Sequence, residues 1–307
     1  MTQNYLCKDT PTNQDRKLSI AGVVVLYHPT EEVLENIRSY VEQVDILFAV
    51  DNSETVHPEL TDQLTGTGKV VYIANRQNPG VARGLNIGAQ LALEHGCDFL
   101  LTMDQDSSAI PGMVGIMLDC LERNDIKCVG IISPFHATRP GEQPSGKEEC
   151  REVLTVMTSG NLLNLQAYRT VGPFLDTLFI DFIDIEYCLR LQKAGFRVIL
   201  ATRAILRHQV GTKMKFSFFP RDVYLTSHDA LRKYYKTRNR FFVIDRYKTD
   251  YPGFCRADRI RFVLELLRLL LFEREKMKKL SMMYKGYTDY RRGKLGKFKT
   301  DNGVELL

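Results

Sequence analysis

Residues 20–27, Ile-Ala-Gly-Val-Val-Val-Leu-Tyr, run apolar without a break and are rich in β-branched side chains. Such a run marks a strand buried on both faces, and in a soluble chain that means a parallel sheet covered by helices. His28-Pro29-Thr30 closes the run, and Thr30 is placed to cap a helix from Glu31 to about Val41. A second strand, Asp45 to Val50, ends at Asp51-Asn52-Ser53. A third, Lys69 to Ala74, leads through Asn75-Arg76-Gln77-Asn78-Pro79-Gly80 into a helix from Val81 to Glu94. A fourth, Cys97 to Met103, delivers Asp104-Gln105-Asp106-Ser107. Strands alternating with helices of this length predict βαβ units, so the first half of the chain reads as a doubly wound α/β nucleotide-binding unit.

The two aspartates leave the fourth strand at its C-terminal end, where open α/β sheets bind ligands. Carboxylates two residues apart in extended chain can converge on one hard cation while the residue between them points away. The pair predicts a divalent metal carrying phosphate. No GxGxxG follows the first strand and no GxxxxGK[ST] occurs. A dinucleotide dehydrogenase and a P-loop NTPase therefore both lack their phosphate cradle.

Past Pro134 the chain loosens, and His136 to Glu149 carries Pro140, Gly141, Pro144 and Gly146 among charges, a loop composition. A strand from Val153 to Met157, a short helix near Leu165 to Thr170 and a helix from Ile183 to Ala194 follow, the last stopped by Gly195 before a strand from Phe196 to Ala201. From about Arg221 the sequence reads as helical. The expected organisation is a polar tail (1–17), a catalytic domain (18–220, divided at 133/134) and a basic helical region (221–307).

The chain has 307 residues with 44% hydrophobic and 26% charged, an ordinary globular composition rather than a disordered one. Seven cysteines, an odd number without a CxxC pair, predict reduced thiols in a cytosolic protein. Met1 to Lys17 has no apolar signal core, and Ile260 to Phe272 is interrupted by Arg261, Glu265 and Arg268, short of the about 20 apolar residues a membrane span needs.

Five motifs in register carry a family resemblance: Asp51-Asn52-Ser53, the run Asn78-Pro79-Gly80-Val81-Ala82-Arg83-Gly84-Leu85-Asn86-Ile87-Gly88, Asp104-Gln105-Asp106, Gly172-Pro173-Phe174-Leu175-Asp176, and Asp184-Ile185-Glu186-Tyr187-Cys188-Leu189-Arg190. Over roughly residues 18 to 245 the chain resembles the family 2 inverting glycosyltransferases of the GT-A fold, and Thr102-Met103-Asp104-Gln105-Asp106-Ser107 resembles their bacterial rhamnosyltransferase branch. The resemblance implies a Rossmann-like open mixed sheet flanked by helices, with a helical C-terminal extension. It implies that Asp51 accepts a hydrogen bond from the N3–H of a pyrimidine, with Asn52 beside it, and that Arg83 faces the diphosphate. It implies Mg²⁺ or Mn²⁺ on Asp104 and Asp106, with His208 as a further ligand, and puts Arg238 and Asn239 near the donor diphosphate. Asp184 falls at the catalytic base, although Ile183 stands where Glu is usual and Glu186 where Asp is frequent, which leaves Asp181 as a nearby substitute.

The implied reaction moves L-rhamnose from dTDP-β-L-rhamnose, with inversion, to a saccharide acceptor, lipid-linked, in cell-surface polysaccharide assembly such as O-antigen or cell wall. A UDP-sugar donor (galactofuranose or a hexose), a nucleotidyltransferase and a non-catalytic sugar-nucleotide scaffold are the alternatives. Glycoside hydrolases also pair carboxylates but need neither metal nor nucleotide cradle. Tyr234 to Phe242 interleaves aromatics with bases, which we read as acceptor-side or helical structure rather than a nucleic-acid site. Arg256 to Leu280 sets Ile260, Val263, Leu264, Leu267, Leu270 and Leu271 on one stripe among basic residues, the pattern of a helix lying on an anionic membrane. The same stripe would equally pack on the catalytic domain or on a second subunit of a homo-oligomer. The expected location is cytoplasmic, peripheral on the inner face of the membrane.

Overall fold

The computed structural model describes residues 17–139, 141–144, 148–208, 213–218, 221–226 and 229–299, and for 208, 213–218 and 221–226 the backbone alone. Almost all of the polar tail, residues 1–16, thus lies outside the described residues. In chain order the first half holds β1 (Ile20–Leu26), α1 (Glu32–Arg38), β2 (Ile46–Asp51), α2 (Pro58–Thr65), β3 (Val70–Ala74), α3 (Val81–Glu94), β4 (Phe99–Asp104), β5 (Ser107–Ala109) and α4 (Met113–Glu122). Then come β6 (Val129–Ala137), β7 (Cys150–Glu152), β8 (Asn161–Asn164), α5 (Leu165–Val171), α6 (Ile183–Lys193), β9 (Arg197–His208), β10 (Lys213–Phe218) and β11 (Arg221–Thr226). Three helices follow among the described residues: α7 (Ala230–Tyr247), α8 (Pro252–Phe272) and α9 (Lys276–Arg291).

Nine strands form one mixed sheet, ordered β3-β2-β1-β4-β8-β6-β9-β5, with β7 paired to β9. The first four are parallel, as the buried apolar runs require. Antiparallel β8 then separates them from β6 and β9, which run parallel to each other. β1 is buried along its whole length. Helix α3 packs on it so closely that a Cβ at Gly88 would overlap Val23 Cβ and Cγ2, which is why glycine stands there.

Several local expectations change. Thr30 does not cap α1; its carbonyl takes the Val33 amide at 3.1 Å, and no side chain caps that helix. Residues 153–157 are not a strand, because the pairing edge falls on either side of them, in β7 and β8. The chain beyond Arg221 does not begin as helix: β11 pairs antiparallel with β10, and the helices start at Ala230. Nor are all thiols reduced. Cys120 on α4 and Cys150 on β7 are joined in a disulfide with Cα atoms 5.9 Å apart, while Cys97, Cys188 and Cys255 are buried free thiols. The odd cysteine count hid this pair, which sheet topology brings together across 30 residues.

The chain divides into two compact units, and the division is not the expected one at 220/221. The first holds the described residues through Asp176 together with α6, β7, β8 and β9; the second takes Thr177–Phe182 along with the three terminal helices. Phe179 reaches its own cluster in that second unit, with Tyr234, Tyr235 and Phe298.

Candidate active site

The register of the parallel strands fixes where the predicted aspartates stand. Leu26 at the end of β1 pairs with Asp51 of β2 on one side, and Val25 pairs with Asp104 of β4 on the other. Two strand spacings, about 10 Å, separate the backbone positions of the two aspartates, a span comparable to a nucleoside from its base to its phosphates. The chain crosses from β3 back to β4 here, so the two aspartates flank the topological switch point of the sheet.

Asp51 is almost covered, at 2% exposure, with Oδ1 accepting from the Ser53 amide at 2.8 Å and Oδ2 from the Tyr72 hydroxyl at 2.5 Å. Burial, the bond to Asp51 and its charge push the Tyr72 phenol up to about 12, so Tyr72 stays a donor at any working pH. Each carboxylate oxygen keeps a second lone pair, which leaves Asp51 able to accept from a base N3–H. Asn52 acts differently from expectation. It is buried, its amide donates to the Gly80 carbonyl at 3.1 Å, and its oxygen accepts from Asn75 at 2.7 Å. It ties β2 to the entry of α3, where Gly80 has φ +94°, a conformation glycine adopts without strain.

At the end of β4, Gln105 turns inward as the spacing predicts. Its amide holds both backbone groups of Tyr27, accepting from N at 2.8 Å and donating to O at 3.1 Å, and its own carbonyl accepts from Asn36 at 2.9 Å. That bracing leaves Asp104 half-buried and Asp106 exposed. Behind them, the Ser159 hydroxyl accepts from the Asp104 amide at 3.0 Å and donates to Ser107 at 2.9 Å. The His208 backbone pairs with Ser107 across β5 and β9, which brings its residue to the same rim, but its side chain lies outside the described residues. Two carboxylates are the donor set of a Mg²⁺ or Mn²⁺ that arrives with substrate phosphates. Among the described residues no three His, Cys, Asp or Glu side chains gather into an all-protein cage. The residues fit a cation shared with a diphosphate.

Asp184 sits in the first turn of α6, its Oδ1 accepting from the Ile185 amide at 2.8 Å. It lines a small recess with Thr102, Thr158, Asn161 and Phe174, and Thr102 stands two residues before Asp104 on β4. Its acidic neighbours serve the fold. Glu186 is fully buried against Arg190 at 2.8 Å, and Arg190 in turn donates to the carbonyls of Val171 and Pro173. Asp181, in the second unit, pairs with Arg232 at 3.2 Å. Arg83 in the first turn of α3 keeps 56% of its side chain exposed, 3.3 Å from Asp176.

A model described as glycosyl transferase family 2 matches residues 23–176, half of the chain. The chain belongs to glycosyl transferase family 2. It is also 27% identical to the dTDP-rhamnosyl transferase RfbF of Shigella flexneri, over 74% of this chain and 80% of that one. Two solved structures share its fold at 11% identity: GalNAc-T7 with UDP, GalNAc and Mn²⁺ (TM-score 0.60, covering 91% of this chain and 56% of that one), and S. aureus TarS 1-349 with UDP (TM-score 0.59, 94% and 96%). The chain thus spans little more than half the length of the GalNAc-T7 chain. The architecture is the GT-A fold, and the protein is a glycosyltransferase rather than a nucleotidyltransferase or a passive scaffold.

Within this family 2 glycosyltransferase, Arg238 and Asn239, expected beside the donor diphosphate, are buried among backbone carbonyls of the second unit. They are 1% and 0% exposed. Arg238 donates to the carbonyls of Gly296, Thr177 and Leu178, and Asn239 to those of Leu178, Ile180 and Asp181. Their polar groups fasten the segment 177–182 instead. Sequence reasoning also passed over Asn86. Buried on α3, it donates to Phe174 O at 2.9 Å and Asp176 at 2.6 Å and accepts from Phe174 N and Tyr168. A polar residue on the buried face of a predicted amphipathic helix was the available signal.

Proposed function

We propose that the enzyme transfers L-rhamnose from dTDP-β-L-rhamnose to a saccharide acceptor with inversion, assisted by Mg²⁺ or Mn²⁺. Asp51 takes the pyrimidine N3–H, and Asp104 with Asp106 holds the cation on the diphosphate. The cation, when bound, neutralises charge on the departing nucleoside diphosphate. Asp184 accepts the acceptor's hydroxyl proton as that oxygen bonds to the anomeric carbon, while the bond from that carbon to the phosphate oxygen breaks with its electron pair on dTDP.

The observation that carries this reading is the register that sets Asp51 and Asp104 on either side of β1. Thymine and uracil share the N3–H that Asp51 would read, so the choice of dTDP and rhamnose rests on the likeness to RfbF. The proposed setting is cell-surface polysaccharide assembly such as O-antigen or cell wall. With a lipid-linked acceptor the reaction runs at the inner face of the cytoplasmic membrane.

The test is a binding and turnover panel with dTDP-rhamnose and UDP-hexoses, with and without Mn²⁺. Asp106→Ala should lose metal-dependent nucleotide binding and all turnover. Asp184→Asn should bind donor normally and lose roughly 10²–10⁴-fold in transfer. Unchanged activity in excess chelator, or retained transfer by Asp184→Asn, overturns the mechanism; turnover of a UDP-sugar alone overturns the donor.

A further inference from the structure

We infer that the outer face of α8 is a docking surface for an anionic phospholipid bilayer. It goes beyond the reaction: bilayer binding stands or falls whatever the sugar or acceptor. The six apolar residues Ile260, Val263, Leu264, Leu267, Leu270 and Leu271 are 46–67% exposed. Their spacing puts them on one side of the helix, opposite Cys255, Asp258 and Leu269, which are buried. The stripe is therefore not what α8 uses to pack on the described residues of its own unit.

Charge sorts with the same geometry. The acids of α8 are engaged by α7: Arg240 donates to Asp258 at 3.0 Å and to both oxygens of Glu265 at 3.0 Å, and Lys236 reaches Glu265 at 3.1 Å. The outward charges of the helix are all arginine. At 3.6 residues per turn Arg261 and Arg268 border the apolar stripe on one flank and Arg259 on the other, while Arg256 stands at its N-terminal end. An apolar stripe inside a basic rim complements a surface whose interior is hydrocarbon and whose headgroups are negative. A second copy of this chain would instead bring arginine against arginine around the contact. No described helix is long and apolar enough to cross a membrane, so α8 would lie in the interface.

The experiment is co-sedimentation of the full chain, without nucleotide, with vesicles of phosphatidylcholine alone and of phosphatidylcholine mixed with phosphatidylglycerol. The expected result is binding to the mixed vesicles that weakens as salt rises. Leu264→Ser with Leu267→Ser should reduce the bound fraction at least tenfold, and Arg259→Glu or Arg261→Glu should each weaken binding roughly fivefold or more. All four positions are exposed, so the thermal melt should not move. Equal recovery with both vesicle types, or an unaltered bound fraction in the double serine variant, overturns the proposal. So does a dimer in light scattering that the double variant converts to monomer without any change in vesicle binding.

Discussion

At the residue scale, the site depends on side chains that hold other side chains. Asp51 was legible from its place after a buried strand, but Tyr72, which sits one strand over and fixes its carboxylate, was not, because register is a tertiary fact. Tyr72→Phe removes the hydroxyl and leaves the ring. The donor's Kd should rise about three- to tenfold, the worth of one charge-assisted hydrogen bond, with little change in kcat, as calorimetry and steady-state kinetics would record. The carbonyl partners of Arg238 and Asn239 were not legible for a related reason: a basic and an amide residue beside aromatics suit a phosphate as well as a run of carbonyls, and sequence does not give burial. Phe179, Asp181 and Phe182 have φ of +64°, +60° and +64°, conformations that cost non-glycine residues of order 1–3 kcal/mol each. The amide of Asn239, at 2.7–3.0 Å from three carbonyls, restrains that stretch just ahead of α6 and Asp184. Asn239→Ala should therefore lower kcat with a smaller effect on donor KM, and lower Tm. Equal loss in both kinetic constants would place its effect elsewhere.

At the element scale, the parallel half of the sheet was readable because each strand is apolar throughout, and α3 lies where a helix from about Val81 to Glu94 was expected. The antiparallel half was not. β5, β7 and β8 are three or four residues long and have no period of their own; β9 organises two of them by pairing with each. The tight seat of α3 on β1 gives a direct test. Gly88→Ala adds a methyl where Val23 already stands, an overpacking that typically costs 1–3 kcal/mol, and a thermal melt should fall by several degrees. Helices α7 and α8 carry a pH signature. Burial tends to raise the Glu265 carboxyl, but the bonds and charges of Arg240 and Lys236 outweigh it and hold it at about 2 against an ordinary 4.5. A depressed carboxylate stabilises the fold above its ordinary value, and that contribution is lost as the pH falls through 4.5 toward 2. It amounts to at most about 3.5 kcal/mol at about 1.4 kcal/mol per unit. Glu265→Gln should give a chain whose stability, by denaturant titration, declines less steeply over that window.

At the scale of the whole molecule, linear order and compact units part company. Residues 177–182 leave the first unit after Asp176, which Asn86 and Arg83 hold, and return to it at Ile183, the start of the helix that carries Asp184. Between those points the chain belongs to the terminal helices: Phe179 stacks on Tyr235 with centroids 4.9 Å apart, Arg240 lies 5.3 Å from the Phe182 ring, and Thr177 O accepts from Gly296 N at 2.6 Å. A basic C-terminal extension in a sequence suggests a removable appendage, yet the helix that carries Asp184 is entered through a segment that packs with that extension. A chain ending at residue 228 would leave Phe179 and Phe182 in water, each worth about 1.5–3 kcal/mol of burial, and would leave three left-handed residues without their restraints. Such a chain should expose apolar surface to a hydrophobic dye and lose nucleotide-dependent thermal stabilisation, even though Asp51, Asp104 and Asp106 all remain. A truncated chain that melts cooperatively and still gains the full stabilisation from dTDP and Mn²⁺ would show that the first unit stands without the helices.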